Sequence, residues 1–160
     1  MRLTKLLFVL SATGAALATN AETRTITGQG AVTNAAGAVA RFSARLGQVD
    51  NNAATGRFQM TWAREGVSVT VLTENPRVVL VDGRIGKMEG RAVASVTRNG
   101  ETRRWEGIVR VTAWDLKNSE NPNGRDKLRM RFIRNPWESP EGDFYFEGAV
   151  TDGGLEVKKV

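Results

Sequence analysis

One regularity constrains the fold of this chain more than any other. Along most of its length apolar and polar residues alternate one by one, and short turn pairs interrupt the alternation. Successive side chains of a β-strand point to opposite faces, so a period of two marks a strand with one buried face and one wet face. In GAVARFSARLG, residues 37–47, Ala38, Ala40, Phe42, Ala44 and Leu46 share one face, while Val39, Arg41, Ser43 and Arg45 share the other. In GRFQMTWAR, residues 56–64, Phe58, Met60 and Trp62 alternate with Arg57, Gln59 and Thr61. Beyond a Glu65-Gly66 turn, VSVTV places Val67, Val69 and Val71 on one side, and PRVVLV reads as a further strand that ends at Asp82-Gly83.

The pair Asn99-Gly100 takes the positive backbone angles of a two-residue hairpin turn, so residues 90–115 read as one long hairpin. Val109, Val111 and Ala113 then oppose Arg110, Thr112 and Trp114. In DKLRMRFIR, residues 126–134, Leu128, Met130 and Phe132 oppose Lys127, Arg129 and Arg131. NPWESPEG follows as a loop, because Pro136 and Pro140 each deny the ladder a donor. The remainder reads as DFYFEGAV, a turn at Thr151-Asp152-Gly153-Gly154, and LEVKK, with Phe144, Phe146 and Val150 pointing inward. No window shows sustained apolar spacing at three and four residues, so no helix is expected. The expectation is an all-β chain, a single antiparallel β-sandwich or closed β-barrel of roughly eight to ten strands. Alternation is common to both architectures and does not separate them. Gly90, Gly107 and Gly148, inside strand patterns, suggest bulges or sharp bends.

The N-terminus has a different character. Arg2 and Lys5 precede an apolar stretch, Leu6 to Ala18, that ends at small residues. This is the pattern of a secretory signal peptide over residues 1–18, with cleavage after Ala21 as the alternative. The stretch is shorter than the roughly 20 residues a membrane span needs. Residues 19–160 are then expected to form one β domain, secreted or periplasmic, with no transmembrane segment.

Composition removes much chemistry. The chain has no histidine and no cysteine. The usual zinc ligand sets, cysteine nucleophiles, serine–histidine triads and disulfides are therefore excluded. Any metal would be a hard cation on oxygen ligands. There are 23 basic residues against 17 acidic ones, a formal charge of +6 to which Arg2 and Lys5 contribute. Most of the excess is arginine, which suits bidentate contacts to carboxylate, sulfate or phosphate.

The C-terminal half carries a resemblance. Val111-Thr112-Ala113-Trp114-Asp115, Pro122-Asn123-Gly124-Arg125-Asp126, Phe144-Tyr145-Phe146-Glu147-Gly148 and Gly153-Gly154-Leu155-Glu156-Val157 occur in that order. Together with Gly28-Gln29-Gly30, Ala40-Arg41-Phe42 and Gly56-Arg57-Phe58, this resembles an uncharacterised kind of secreted bacterial β domain, one that follows choice-of-anchor modules in surface proteins. The chain departs from that pattern in Gly154, where an asparagine is expected, and in a longer, more charged loop after Asp115. The resemblance implies a β fold and an extracytoplasmic setting, and it implies no particular activity.

Four groups of residues invite a functional reading. In the loop from 115 to 126, Asp115, Asn118, Glu120, Asn123 and Asp126 are candidate oxygen ligands for calcium, although the helix–loop–helix spacing is absent. The same residue types also build ordinary polar turns. An outer face of Arg41, Arg45, Arg57, Arg110, Lys127, Arg129 and Arg131 would form a basic patch if these strands are neighbours. It would attract acidic glycans, lipopolysaccharide or nucleic acid phosphates, yet a solvated sheet face is the commoner use of such a charge run. Trp114 and Trp137 are candidate sugar-stacking platforms, set against the tendency of tryptophan to pack inward. Glu138, Glu141 and Asp143 lie close in sequence, and a glycosidase needs two carboxylates at a defined gap.

These observations favour a non-enzymatic binding or structural module at the cell envelope or outside the cell. Its expected partner is an acidic glycan or envelope polysaccharide rather than nucleic acid, with contacts from Trp114, Trp137, Arg110, Arg129 and Arg131. The alternative is a small carbohydrate-active hydrolase using paired carboxylates.

Overall fold

A computed structural model describes residues 21–117, 121–134 and 144–160. The proposed leader at 1–18 and the proline-containing loop after Arg134 lie outside the described residues. Eight strands follow one another along the chain: β1 (Thr23–Thr33), β2 (Val39–Val49), β3 (Thr55–Arg64), β4 (Val67–Asp82), β5 (Ile85–Arg98), β6 (Glu101–Trp114), β7 (Lys127–Ile133) and β8 (Phe144–Lys159). Each pairs antiparallel with the next, and β8 pairs with β1, so the sheet closes on itself. The architecture is an up-and-down barrel rather than a sandwich. Among the described residues there is no helix, and so none long and apolar enough to cross a membrane.

Alternation decides what fills the barrel. Phe58, Met60, Val71, Val109, Leu128, Met130 and Phe132 are all fully buried and come from inward positions of four strands. Near one end Trp62, Phe144, Phe146, Phe132 and Trp105 stack on one another at centroid separations of 5.7 to 6.2 Å. Edge-on and tilted contacts at this range suit the quadrupoles of the rings. The outward positions carry Arg41, Arg45, Arg57, Arg110 and Arg129, all exposed. An apolar interior and a charged exterior reverse the arrangement of a barrel that faces lipid.

The strand count falls at the low end of the expectation for two reasons. VSVTV and PRVVLV are halves of one strand, β4, which absorbs two extra residues in bulges between Leu72 and Asn75 and between Pro76 and Val78. Two insertions preserve the parity, so Val69, Val71, Val79 and Val81 all point inward. Pro76, which breaks a regular ladder, is buried in this irregular stretch opposite Gly90. Likewise Thr151 to Gly154 is no turn. β8 runs through it with one bulge, where Val150 pairs with Val32 and Asp152 with Ala31. Gly30 and Gly153 face each other there with φ of 146° and 77°. A Cβ on Gly153 would stand 1.9 Å from the Gln29 carbonyl oxygen, and one on Gly30 the same distance from that of Asp152.

The start of β1 and the residue that follows β8 complete the ring. Thr23 and Val160 exchange backbone hydrogen bonds of 2.7 and 2.9 Å. Beside them Glu22 holds both Lys159, at 2.8 Å, and Arg24. Its carboxyl is held below the usual carboxylate range, chiefly by the hydrogen bond from Lys159. Gly153→Ala therefore meets both an unfavourable φ and a backbone clash at the closing seam. The expected result is a loss of about 2 kcal/mol or more in urea-denaturation stability, whereas Gly66→Ala, in an open turn, loses less. Equal losses at the two positions would remove the close approach as the cause.

Candidate functional site

The acids of the 115–126 loop are the first sequence-derived candidates to locate. Asp126 is buried, and its Oδ1 accepts hydrogen bonds from the backbone N–H of Leu116 at 3.0 Å and Lys117 at 2.9 Å. Its Oδ2 accepts one from Leu155 at 2.9 Å. Asp115 is buried too. Its Oδ2 accepts from the Val157 N–H at 3.2 Å, and its Oδ1 lies 3.7 Å from the Arg84 guanidinium. Both carboxylates thus bond the loop to β8 at backbone groups that the ladder leaves unpaired. Asn123 is exposed and lines a shallow recess with Arg125 and Thr151, while Asn118 and Glu120 lie outside the described residues. No group of three or more acidic side chains placed to hold a metal ion occurs among the described residues.

The proposed arginine face resolves into two walls. Arg41 and Arg45 stand on β2 and Arg57 on β3, with Arg45 and Arg57 register partners. Arg110 stands on β6, and Lys127, Arg129 and Arg131 on β7. Two strands separate these groups in either direction around the barrel, so they occupy opposite walls and form no single patch.

The β5–β8 wall does bring together Arg110, Arg129, Arg131 and Trp114. Across the strands Glu89 pairs with Arg110 and Arg110 with Arg131, which faces Tyr145; in the next row Thr112 pairs with Arg129, which faces Glu147. These side chains share the outer face because β-strand parity holds through this stretch of the four strands, ahead of the bulge in β8. Arg129 donates from Nε to Glu147 Oε2 at 2.7 Å and from Nη2 to Oε1 at 3.2 Å, a bidentate pair. Its guanidinium lies over the half-buried Trp114 indole, 5.2 Å from the ring centroid. Tyr145, 55% exposed, donates its hydroxyl to Glu147 Oε2. Arg110 Nε donates to Glu89 Oε2 at 2.8 Å. The arrangement is a flat, polar platform with an open phenol ring on rigid strands.

Titration follows from these bonds. The Arg129 hydrogen bond, seconded by Tyr145, holds the Glu147 carboxyl below its ordinary range. Glu147 in turn raises the Tyr145 phenol and the Arg129 guanidinium.

Trp137 and the carboxylates Glu138, Glu141 and Asp143 lie outside the described residues. Sequence reasoning missed Glu89, Tyr145 and Glu147. Alternation alone shows that Arg129 and Glu147 face outward, but only the β7–β8 register shows that they are opposite. No family model matches the chain, and neither does any curated protein or solved structure.

Two measurements check this geometry. Asp126→Ala leaves three N–H groups without their acceptor, and the expected loss is about 3 kcal/mol in denaturant unfolding. A change under about 0.5 kcal/mol, the range of ordinary surface substitutions, would overturn the bonding role. Tyr145 is the chain's one tyrosine, so phenolate ultraviolet absorbance reads it alone. Its ionisation is expected above that of a free phenol and should fall back in Glu147→Gln. The linked stability is present below the free-phenol pKa and lost as pH rises through the raised value. That of Glu147 is present above the free-carboxyl pKa and lost as pH falls through the lowered one. Both contributions are about 1 kcal/mol or less, because the pair is solvent-exposed.

Proposed function

We propose that this protein is a non-enzymatic binding module of the cell envelope or the extracellular space, and that its β5–β8 wall holds a polysaccharide. One observation carries the reading: Trp114, Arg129, Glu147 and Tyr145 form a bonded cluster that faces outward from regular strands. Sugars are held by rings that match the apolar face of a pyranose and by planar polar groups that pair with its hydroxyls. The cluster offers both in fixed positions, so little side-chain freedom is lost on binding. Close-packed side chains fill the barrel interior, which directs attention to the exterior. The leader-like pattern at residues 1–18 supports the extracytoplasmic setting.

Affinity electrophoresis of residues 19–160 through gels containing neutral or acidic polysaccharides tests the reading. Retardation by at least one polymer is expected, weakened about tenfold in a Trp114→Ala/Tyr145→Ala variant, as a loss near 1.4 kcal/mol implies. No retardation by any polymer, or retardation indifferent to that variant, would defeat the proposal. Release of reducing ends that disappears in Glu138→Gln/Glu141→Gln/Asp143→Asn would instead favour the hydrolase.

A further inference from the structure

Arginines on the β4–β8 side of the barrel divide into paired and unpaired ones, and three of the unpaired ones gather in one groove. Arg110 and Arg129 are bonded to Glu89 and Glu147, so they bring little uncompensated charge to a ligand. The two bulges of β4 open a groove of about 940 Å³ against β5 and β6. Leu72, Val93 and Ile108, all half-buried, make an aliphatic floor. Arg77, Arg91 and Arg104 line the same groove, all exposed, with no hydrogen-bond or ion-pair partner for their guanidinium groups among the described residues. Glu74 and Glu106 also line it and form no ion pair with these arginines. The groove shares its outer face with the Trp114 cluster. On β6, Arg104 and Trp114 are separated by about 33 Å at a rise of about 3.3 Å per residue, room for an extended chain to touch both.

We propose that this groove is an anion subsite, and that the polysaccharide held by the wall is acidic, with carboxylates paired to Arg77, Arg91 and Arg104. The proposal rests on the glycan reading above and names the class of sugar. A guanidinium fork matches a carboxylate in geometry and charge, and a guanidinium without a carboxylate of its own has that valence open. The aliphatic floor suits the C–H face of a sugar ring. Single-stranded nucleic acid relies on aromatic platforms, and the groove's described lining contains none.

Binding of residues 19–160 to polygalacturonate, to its methyl-esterified form and to oligothymidylate, measured at low and high salt, tests the assignment. Polygalacturonate is expected to bind, and the ester, which keeps the backbone and lacks the charge, is expected to bind far more weakly. Arg77→Ser/Arg91→Ser/Arg104→Ser should weaken polygalacturonate binding at least about tenfold. Arg41→Ser/Arg45→Ser/Arg125→Ser removes the same charge from positions outside the groove, on β2 and in the 115–126 loop, and should change it no more than about twofold. Equal losses in the two variants would reduce the effect to net charge and overturn the subsite. So would equal binding of acid and ester, or tighter binding of oligothymidylate than of polygalacturonate. If the Trp114→Ala/Tyr145→Ala variant loses polysaccharide while the groove variant does not, the wall reading stands and the subsite falls. If no polysaccharide binds at all, both fall.

Discussion

Pairing of the last strand with the first is the constraint on which the rest of the structure depends. An open eight-stranded sheet would expose two edges of unpaired backbone groups, and joining β8 to β1 removes both. Closure also sends every inward side chain into one enclosed core, so Phe58, Phe132, Met60 and Met130 lose all contact with water. The seam requires close backbone approach, which is why Gly30 and Gly153 meet across it. A bulge next to them then changes the parity of β8, so that Phe146 and Val150 before it and Leu155 and Val157 after it all face the core.

The same closure explains the two buried aspartates. The 115–126 connection must cross one end of the barrel, where β8 has backbone donors that its neighbours do not take up. Asp126 and Asp115 supply oxygens to the N–H groups of Leu155 and Val157, and Asp126 also gathers those of Leu116 and Lys117. A carboxylate that accepts several backbone N–H groups is well satisfied despite its burial. Loop, strand and seam are thereby held together, and the outer wall of β5–β8 becomes a rigid support for Trp114, Arg129, Tyr145 and Glu147.

Much of this was legible along the chain. Alternation assigned the inward and outward residues of β2, β3, β6 and β7 correctly, because a one-residue error would expose a whole apolar set. The pairs at Glu65-Gly66 and Asn99-Gly100 were readable as turns, and both Glu65 and Asn99 have positive φ. Pro76 and the Thr151–Gly154 stretch misled, since residues that usually end strands are also tolerated in bulges, where the ladder is already interrupted. In the 115–126 loop Asp115 and Asp126 bond to backbone N–H donors, which call for the same oxygens as a cation does.

What the sequence determined by itself was the class of structure and, on the regular strands β2, β3, β6 and β7, the face on which each side chain lies, since both follow from a local period of two. It also excluded chemistry that needs histidine or cysteine. What only the tertiary structure decided was which residues are neighbours. Closure placed Arg41, Arg45 and Arg57 on the wall opposite Arg110, Arg129 and Arg131. Register set Glu147 against Arg129, and the bulges of β4 gathered Arg77, Arg91 and Arg104 into one groove. Strand order, register and bulge position arise from long-range pairing, and a local pattern carries no information about which distant strand will complete the ladder.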